Sequence, residues 1–401
     1  MDKKQGSILL KAFVKYSAIK KALGLKQQNI ISEICASNLR GRGGAGFYTG
    51  KKMQMVMQVQ TDTRYVICNA DEGEPGTFKD HYLIKNYPQL IIEGVVLAGY
   101  AIGAKKGFIY LRGEYASYRQ LLIDEIENYK HDKALGENIF GTDFSFDIEI
   151  KMGSGAYICG AETALIESME GQRGEPRNRP PFPVESGFLA APTVVNNVET
   201  LCCLPSIVLD GAENFKSFGT KDSAGTKLLS VSGDCKKPGV YEVEFGISVG
   251  EVLDLVGAKE TKAVQVGGAS GRCLSKDEFS RKIAFEDAST GGSVIIFDSS
   301  RNIADVAENF LEFFKEESCG QCSVCREGIP VLVDGIEQIK DGVCSKSYLS
   351  DLLSLAETLE IASKCALGQS APYIFFDLIN KFQGDFKILE NSYPKEGFNG
   401  E

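Results

Sequence analysis

The sequence predicts an α/β domain, then a small α+β domain, then a C-terminal helical bundle. Three changes of texture carry that reading. Between residues 38 and 200, short apolar strand-like runs alternate with longer helix-like stretches, the pattern of a layered α/β fold. From Gly225 to Asp298 the runs become short and β-rich, with Gly-rich turns between them. From Asn302 onward apolar residues recur at spacings of three and four, the period of an amphipathic helix.

Residues 1–37 form an N-terminal helical segment. Its first 30 residues hold seven lysines against one acid, Asp2. Such a run reads as a solvated helical face, with an acidic partner surface as the sharper alternative. The first domain, 38–215, has strand-like Tyr65–Cys68, Phe108–Leu111 and Phe146–Ile150, with helix-like Leu90–Ala104, Ser117–Tyr129 and Glu162–Glu170. Gly171 to Pro192, rich in Pro and Arg, has no element of its own, and so long a loop in a compact domain is functional or disordered. In the second domain, 216–300, Lys227–Ser232, Gly239–Glu244 and Ala263–Val266 surround a helix-like Val249–Val256. The third domain, 301–390, opens on Ile303, Val306, Ala307, Phe310, Leu311 and Phe314 in helical register. Leu349–Ile361 and Tyr373–Phe382 continue it, and residues 391–401 are a tail.

At 401 residues, 43% hydrophobic and 24% charged, the chain is an ordinary multi-domain globular protein with room for a sizeable core. Its net charge of −10 argues against a nucleic-acid or anionic-membrane binder. No secretory signal is visible, and the longest apolar run, Ile91 to Ala104, is too short to span a bilayer. A cytoplasmic protein without membrane insertion is expected. Twelve cysteines beside two histidines, His81 and His131, suggest thiol ligands rather than His-based metal sites or catalysis.

Five motifs carry chemistry. Arg40-Gly41-Arg42-Gly43-Gly44-Ala45-Gly46-Phe47 contains G-x-G-x-x-G, whose missing Cβ atoms let backbone N–H groups approach a phosphate or ring. A dinucleotide fingerprint follows a strand, whereas Ile30–Asn38 reads as helix, which argues against an ordinary Rossmann turn and leaves a different nucleotide loop beside a flexible glycine hinge. Cys68-Asn69-Ala70-Asp71-Glu72-Gly73-Glu74 places three carboxylates at a strand end, where α/β folds bind ligands; a solvated acidic turn is the equal alternative. Gly153-Ser154-Gly155-Ala156-Tyr157 leads through Gly160 and Ala161 into the helix at Glu162, whose free N–H groups suit an anion or ring oxygen. Asn196-Asn197-Val198-Glu199-Thr200 offers two amides where a cap needs one.

The fifth motif is the most specific. Cys319-x2-Cys322-x2-Cys325 can wrap one [4Fe–4S] cube, closed by a distant fourth cysteine. Structural zinc pairs two separated knuckles or adds histidine, and no histidine lies in this region. Spacing alone leaves Cys344 and Cys365 as rivals for the fourth ligand.

RGRGGAGF, CNADEGEPGTF, YICGAETAL, PPFP, NNVET, ESCGQC and KCALGQSAP, in this order over about residues 20–385, resemble the NADH-oxidising flavoprotein subunit of respiratory complex I. Related subunits serve NAD-linked hydrogenases, formate dehydrogenases and electron-bifurcating complexes. The resemblance implies a Rossmann-like FMN/NADH domain, a ubiquitin-like β-grasp (SLBB) domain and a helical [4Fe–4S] domain. It places Gly41, Arg42, Gly43, Gly44, Ala45, Gly46 and Lys52 along the FMN and NADH cleft. Phe47 and Phe182 would stack on adenine, with Arg179 nearby. Asn69, Asp71 and Glu72 would hold the isoalloxazine and ribityl groups. Tyr157, Gly160, Asn196, Asn197 and Thr200 match FMN-contacting positions. Glu74, Ala161 and Glu162 match the nicotinamide side, with Glu74 and Glu162 in catalytic roles. Cys319, Cys322, Cys325 and Cys365 match the cluster ligands.

Four positions depart from the family pattern. Ala161 replaces one of two adjacent glutamates, Tyr48 stands where Pro is usual, Met55 where an aromatic covers adenine, and Arg179 where Lys is usual. The thioredoxin-like and ferredoxin-like domains fused in many hydrogenase relatives are absent from this sequence. The expected partners are therefore a thioredoxin-like [2Fe–2S] subunit and a larger subunit: a hydrogenase, formate dehydrogenase, transhydrogenase or quinone-linked enzyme. The expected function is hydride transfer between NAD(H) and FMN, then single-electron transfer through the cluster. Two alternatives stand beside it: a bifurcating subunit coupling NAD(H) with ferredoxin, and a scaffold with a lost nucleotide site.

Overall fold

The computed structural model describes residues 8–389. The first unit holds α1 (Ser17–Leu23), α2 (Gln27–Ala36), α3 (Thr49–Gln58), β1 (Tyr65–Ala70), α4 (Lys79–Asn86), α5 (Pro88–Ile102) and β2 (Lys106–Leu111). It continues through α6 (Arg119–His131), β3 (Asp147–Met152), α7 (Glu162–Met169), β4 (Thr193–Asn197), α8 (Val198–Cys202), α9 (Leu204–Asp210) and α10 (Ala212–Lys216). Its strands form one parallel sheet in the order β3-β2-β1-β4. Both faces are covered, so Val66, Ile67 and Cys68 of β1 are buried without alternation.

Helix α5 is the hydrophobic keel. Pro88 starts it where a missing N–H costs nothing, and Gly103 ends it at φ 67. Glu93 lies fully buried inside it and accepts the backbone N–H groups of Tyr16, Ala18 and Ile19, fixing the start of α1. Burial raises its carboxyl pKa to about 7. The N-terminal basic run is partly answered within the chain, since Lys11 pairs with Asp210 and Lys15 with Glu125.

The glycine loop lies between α2 and α3 and follows no strand, as its sequence context suggested. Strand β4 is an addition. Asn196 and Asn197 are the last two residues of that strand, and only Asn197 caps a helix, accepting the Glu199 N–H at 3.0 Å. The 171–192 loop contains only a 3-10 turn at Phe188–Ala190. Arg177 pins it to Glu167, Glu170 and the Gly187 carbonyl.

The second unit holds β5 (Thr226–Gly233), β6 (Gly239–Glu244), α11 (Val249–Val256), β7 (Thr261–Val266), β8 (Arg272–Ser275) and β9 (Ser293–Asp298). The sheet order is β6-β5-β9-β7-β8, with β5 and β9 parallel and the other pairs antiparallel. Ser248 and Glu251 form a capping box that starts α11. Val252 and Val256 then pack on Leu229, Val264 and Ile296.

The third unit holds α12 (Ile303–Glu317), α13 (Ser323–Lys340), α14 (Lys346–Ala362), α15 (Ala366–Ser370) and α16 (Tyr373–Lys381). Ile303, Ala307, Phe310, Leu311 and Phe314 form the buried stripe of α12 that the spacing predicts. Buried Asp377 of α16 ties this unit to β8 by accepting from the Arg272 guanidinium and the Cys273 N–H. Among the described residues no helix is long and apolar enough to cross a membrane.

Candidate functional site

Strands β1 and β4 end side by side at the C-terminal edge of the parallel sheet, where α/β folds bind ligands. Asp71, just past β1, is 7% exposed, and neither carboxylate oxygen has a hydrogen-bond partner. Burial lifts its pKa from 3.8 to about 7. Asn196 Nδ2 is also buried without a partner. Two unpartnered acceptors and an unpartnered amide donor at one sheet edge are unusual, because buried polar groups nearly always bond. They suit a ligand bearing both hydroxyl donors and carbonyl acceptors, as a ribityl chain and a flavin ring do.

The glycine loop faces this edge. A Cβ on Gly43 would come 3.1 Å from Asn197 Cβ, so close approach requires glycine there. Gly44 has φ +117 and open space where a Cβ would be, so its requirement is conformational. Asn69 is committed to support: its Nδ2 donates to the Gly160 carbonyl at 2.8 Å and its Oδ1 accepts the Asp71 N–H at 3.0 Å. Thr200 Oγ1 accepts the Arg42 N–H at 2.8 Å and holds the loop down. Lys52 of α3 pairs with Glu162 at 3.2 Å, bringing together two residues 110 positions apart. Ala161 is the N-cap position of α7. Phe47 and Phe182 are both about half exposed, and the Arg179 guanidinium sits 5.8 Å from the Phe182 ring.

Two expected ligand contacts are turned inward. Arg42 is fully buried; its guanidinium donates to the Arg40 and Ala224 carbonyls and stacks 4.6 Å from the Phe245 ring. Its side chain clamps the loop to the second unit rather than facing the cleft. Glu72 accepts the Asp80 and His81 N–H groups and the Tyr115 hydroxyl, so it ties down the start of α4.

A buried charge cluster escaped the sequence reading. Lys79 bonds Asp80 at 2.6 Å, Asn197 Oδ1 at 3.1 Å and Glu199 at 3.2 Å. Glu199 also pairs with Lys227 and accepts the Leu228 N–H at 2.8 Å. Lys79, Glu199 and Lys227 are essentially unexposed. Asn197 is thereby held by Lys79 and Asp80 at the start of α4. Only the run of charges at Lys79-Asp80 could have signalled it. Glu74 is likewise held across the units: Ser270, between β7 and β8, donates to it through Oγ and N–H, and the Tyr157 hydroxyl donates at 2.8 Å.

The cysteines resolve clearly. Cys319, Cys322, Cys325 and Cys365 line one pocket, whose far wall is Ile158 and Pro176 of the first unit. Cys344 is buried elsewhere, against the Ser345 carbonyl. Cys322 and Cys365 occupy the N-cap positions of α13 and α15, and Cys365 receives backbone N–H groups from Leu367 and Gly368. Those donors favour thiolate charge. Among the described residues no three His, Cys, Asp or Glu side chains are arranged to hold a single metal ion. The four thiols lie around one pocket, the donor set that a [4Fe–4S] cluster takes. Ile158, which lines the cysteine pocket, follows Tyr157 directly in the chain. Tyr157 N–H also donates to Glu317 at 2.9 Å, two residues before the first ligand.

Comparison with known proteins agrees with this geometry. A family model described as the Nuo51 FMN-binding domain matches residues 34–206, and one for the NADH-ubiquinone oxidoreductase-F iron-sulfur binding region matches 305–388. The chain belongs to this family. Its relatives include an NADH-quinone oxidoreductase subunit of Aquifex aeolicus, 41% identical over 93% of this chain and 88% of that protein. The alpha subunit of the NAD-reducing hydrogenase HoxS of Cupriavidus necator is 47% identical over 91% of this chain and 61% of that subunit. A crystal structure of an NAD+-reducing [NiFe]-hydrogenase in the H2-reduced state superposes with a TM-score of 0.90 at 39% identity, covering 95% of this chain and 66% of that one. The chain thus spans about three fifths to two thirds of the length of these hydrogenase chains. FMN, a [4Fe–4S] cluster and NAD(H) are the cofactors of the family. The unpartnered Asp71 and Asn196 groups and the four-thiol pocket are where this chain fits the first two.

Proposed function

We propose that this chain is the NADH-oxidising flavoprotein subunit of a larger oxidoreductase. The observation that carries the proposal is the pairing of unpartnered buried polar groups on Asp71 and Asn196 with a separate pocket lined by Cys319, Cys322, Cys325 and Cys365. When bound, FMN supplies the conversion of a two-electron hydride into single electrons. The protein's part is placement and electrostatics. Asp71 and Asn196 would take the flavin's hydroxyl and carbonyl groups, and the Gly41–Gly46 loop would cover it. Phe47 and Phe182 would receive adenine. Glu74 would orient the nicotinamide by accepting from its carboxamide, and Glu162, held by Lys52, would flank the same region. Cys319, Cys322, Cys325 and Cys365 would hold the cluster.

By analogy with relatives named as hydrogenase and quinone oxidoreductase subunits, the partners are a thioredoxin-like [2Fe–2S] subunit and a larger iron–sulfur or catalytic subunit. We read the second unit as a β-grasp domain, on its mixed sheet with parallel central strands. All twelve cysteines are free thiols, as a reducing compartment keeps them, and we place the protein in the cytoplasm. Reconstitution with FMN, iron and sulfide tests the core reading. Flavin absorption should persist through gel filtration, and NADH should bleach it and then reduce the cluster. A protein that takes up the cluster but never retains flavin would be a scaffold instead.

A further inference from the structure

The turn Gly267–Gly271, which joins β7 to β8 in the second unit, reaches into the first. Ser270 Oγ donates to Glu74 Oε2 at 2.6 Å, and Ser270 N–H donates to Oε1 at 3.1 Å. The Tyr157 hydroxyl donates to the same Oε2 at 2.8 Å, and the Ala269 N–H also faces the carboxylate. Gly268 makes the approach possible. It has φ +71, and a Cβ there would lie 2.4 Å from Glu74 Cγ. Ser270 also lines a cavity of the second unit that Gly44 of the glycine loop borders.

We propose that Ser270 is a positioning residue for nicotinamide recognition: its hydroxyl and N–H fix the Glu74 carboxylate in the orientation that accepts from the carboxamide. This rests on the placement of Glu74 at the nicotinamide given above. Physically, a buried carboxylate drifts toward its protonated form, and a protonated Glu74 would offer a donor where an acceptor is needed. Donors aimed from a separate unit hold both its charge and its direction. The second unit thereby supplies part of nucleotide recognition without itself touching the flavin wall.

The test is equilibrium binding of two ligands to the FMN- and cluster-loaded protein, followed by calorimetry. NAD+ carries the nicotinamide; ADP-ribose shares everything else. Ser270→Ala should raise the Kd for NAD+ about tenfold, the loss of one hydrogen bond to a charged group. ADP-ribose affinity and flavin absorption should stay unchanged. Ser270→Thr, which keeps the hydroxyl, should restore NAD+ binding. In a Glu74→Gln background, Ser270→Ala should add nothing. Equal weakening of both ligands would mean a purely structural role and would overturn the proposal, as would normal NAD+ binding by Ser270→Ala. If Glu74→Gln itself leaves NAD+ binding intact, the placement of Glu74 fails rather than the Ser270 contact.

Discussion

Asp71 gives the sharpest test of the cleft because its two oxygens are buried without partners. In the FMN-free protein, folding raises this carboxyl's pKa from 3.8 to about 7. The folded state therefore binds its proton more tightly than the unfolded chain. The stability this contributes is fully present below pH 3.8 and is lost as pH rises through about 7. The difference between 3.8 and about 7 corresponds to about 4 kcal/mol across the window, of which about 3 kcal/mol falls between pH 5 and 8. Asp71→Asn removes the titration while keeping the shape. Urea unfolding of FMN-free wild type and variant at pH 5, 6, 7 and 8 reads it directly. Glu72 and Glu93, also raised to about 7, titrate in both proteins and cancel in the comparison. The wild type should lose about 3 kcal/mol more than the variant over that range. With FMN added the order reverses, since the variant forfeits a charged acceptor and should bind flavin about tenfold more weakly or worse. Parallel pH profiles for the two proteins would refute the reasoning.

Glu199→Ala leaves Lys227 buried with only a carbonyl contact, and should cost about 3–5 kcal/mol in denaturant unfolding. Cys365→Ser should abolish the reduced-cluster electron paramagnetic resonance signal, whereas Cys344→Ser should leave it intact; the reverse pattern would reassign the fourth ligand. Phe182→Ala should weaken NAD+ and ADP-ribose alike, by about threefold to tenfold, because stacking on adenine is common to both.

Much of the first unit was legible because its elements are local. Tyr65–Cys68 and Phe108–Leu111 are continuous apolar runs, and α5 is apolar around its whole circumference. Strand β4 was missed because its two valines run straight from a loop into two asparagines, and it sits at the sheet edge. Strand β8 has only four residues and lies between glycines and a 3-10 turn. The glycine loop, the acidic strand end and the cysteine triplet were legible as motifs, but the direction in which each side chain points was not. Arg42 and Glu72 look like ligand contacts in sequence, yet their partners at Ala224 and at the start of α4 show them to be clamps. Lys79, Glu199 and Lys227 meet across separations no local pattern encodes. Spacing left Cys344 and Cys365 as rivals, the resemblance chose Cys365, and the pocket places Cys365 beside the triplet.

The interlocking of the two sheets also has a meaning for biogenesis. On a ribosome the α/β unit emerges first, but its cofactor cleft is not then finished. Arg42 awaits the Ala224 carbonyl and Glu199 awaits Lys227 and Leu228. Glu74 waits longer, for a turn almost 200 residues downstream of it. A nascent chain therefore holds these charged groups with only some of their final partners until the second unit has been made. Flavin capture belongs after that moment, and the cluster, whose last ligand is Cys365, later still.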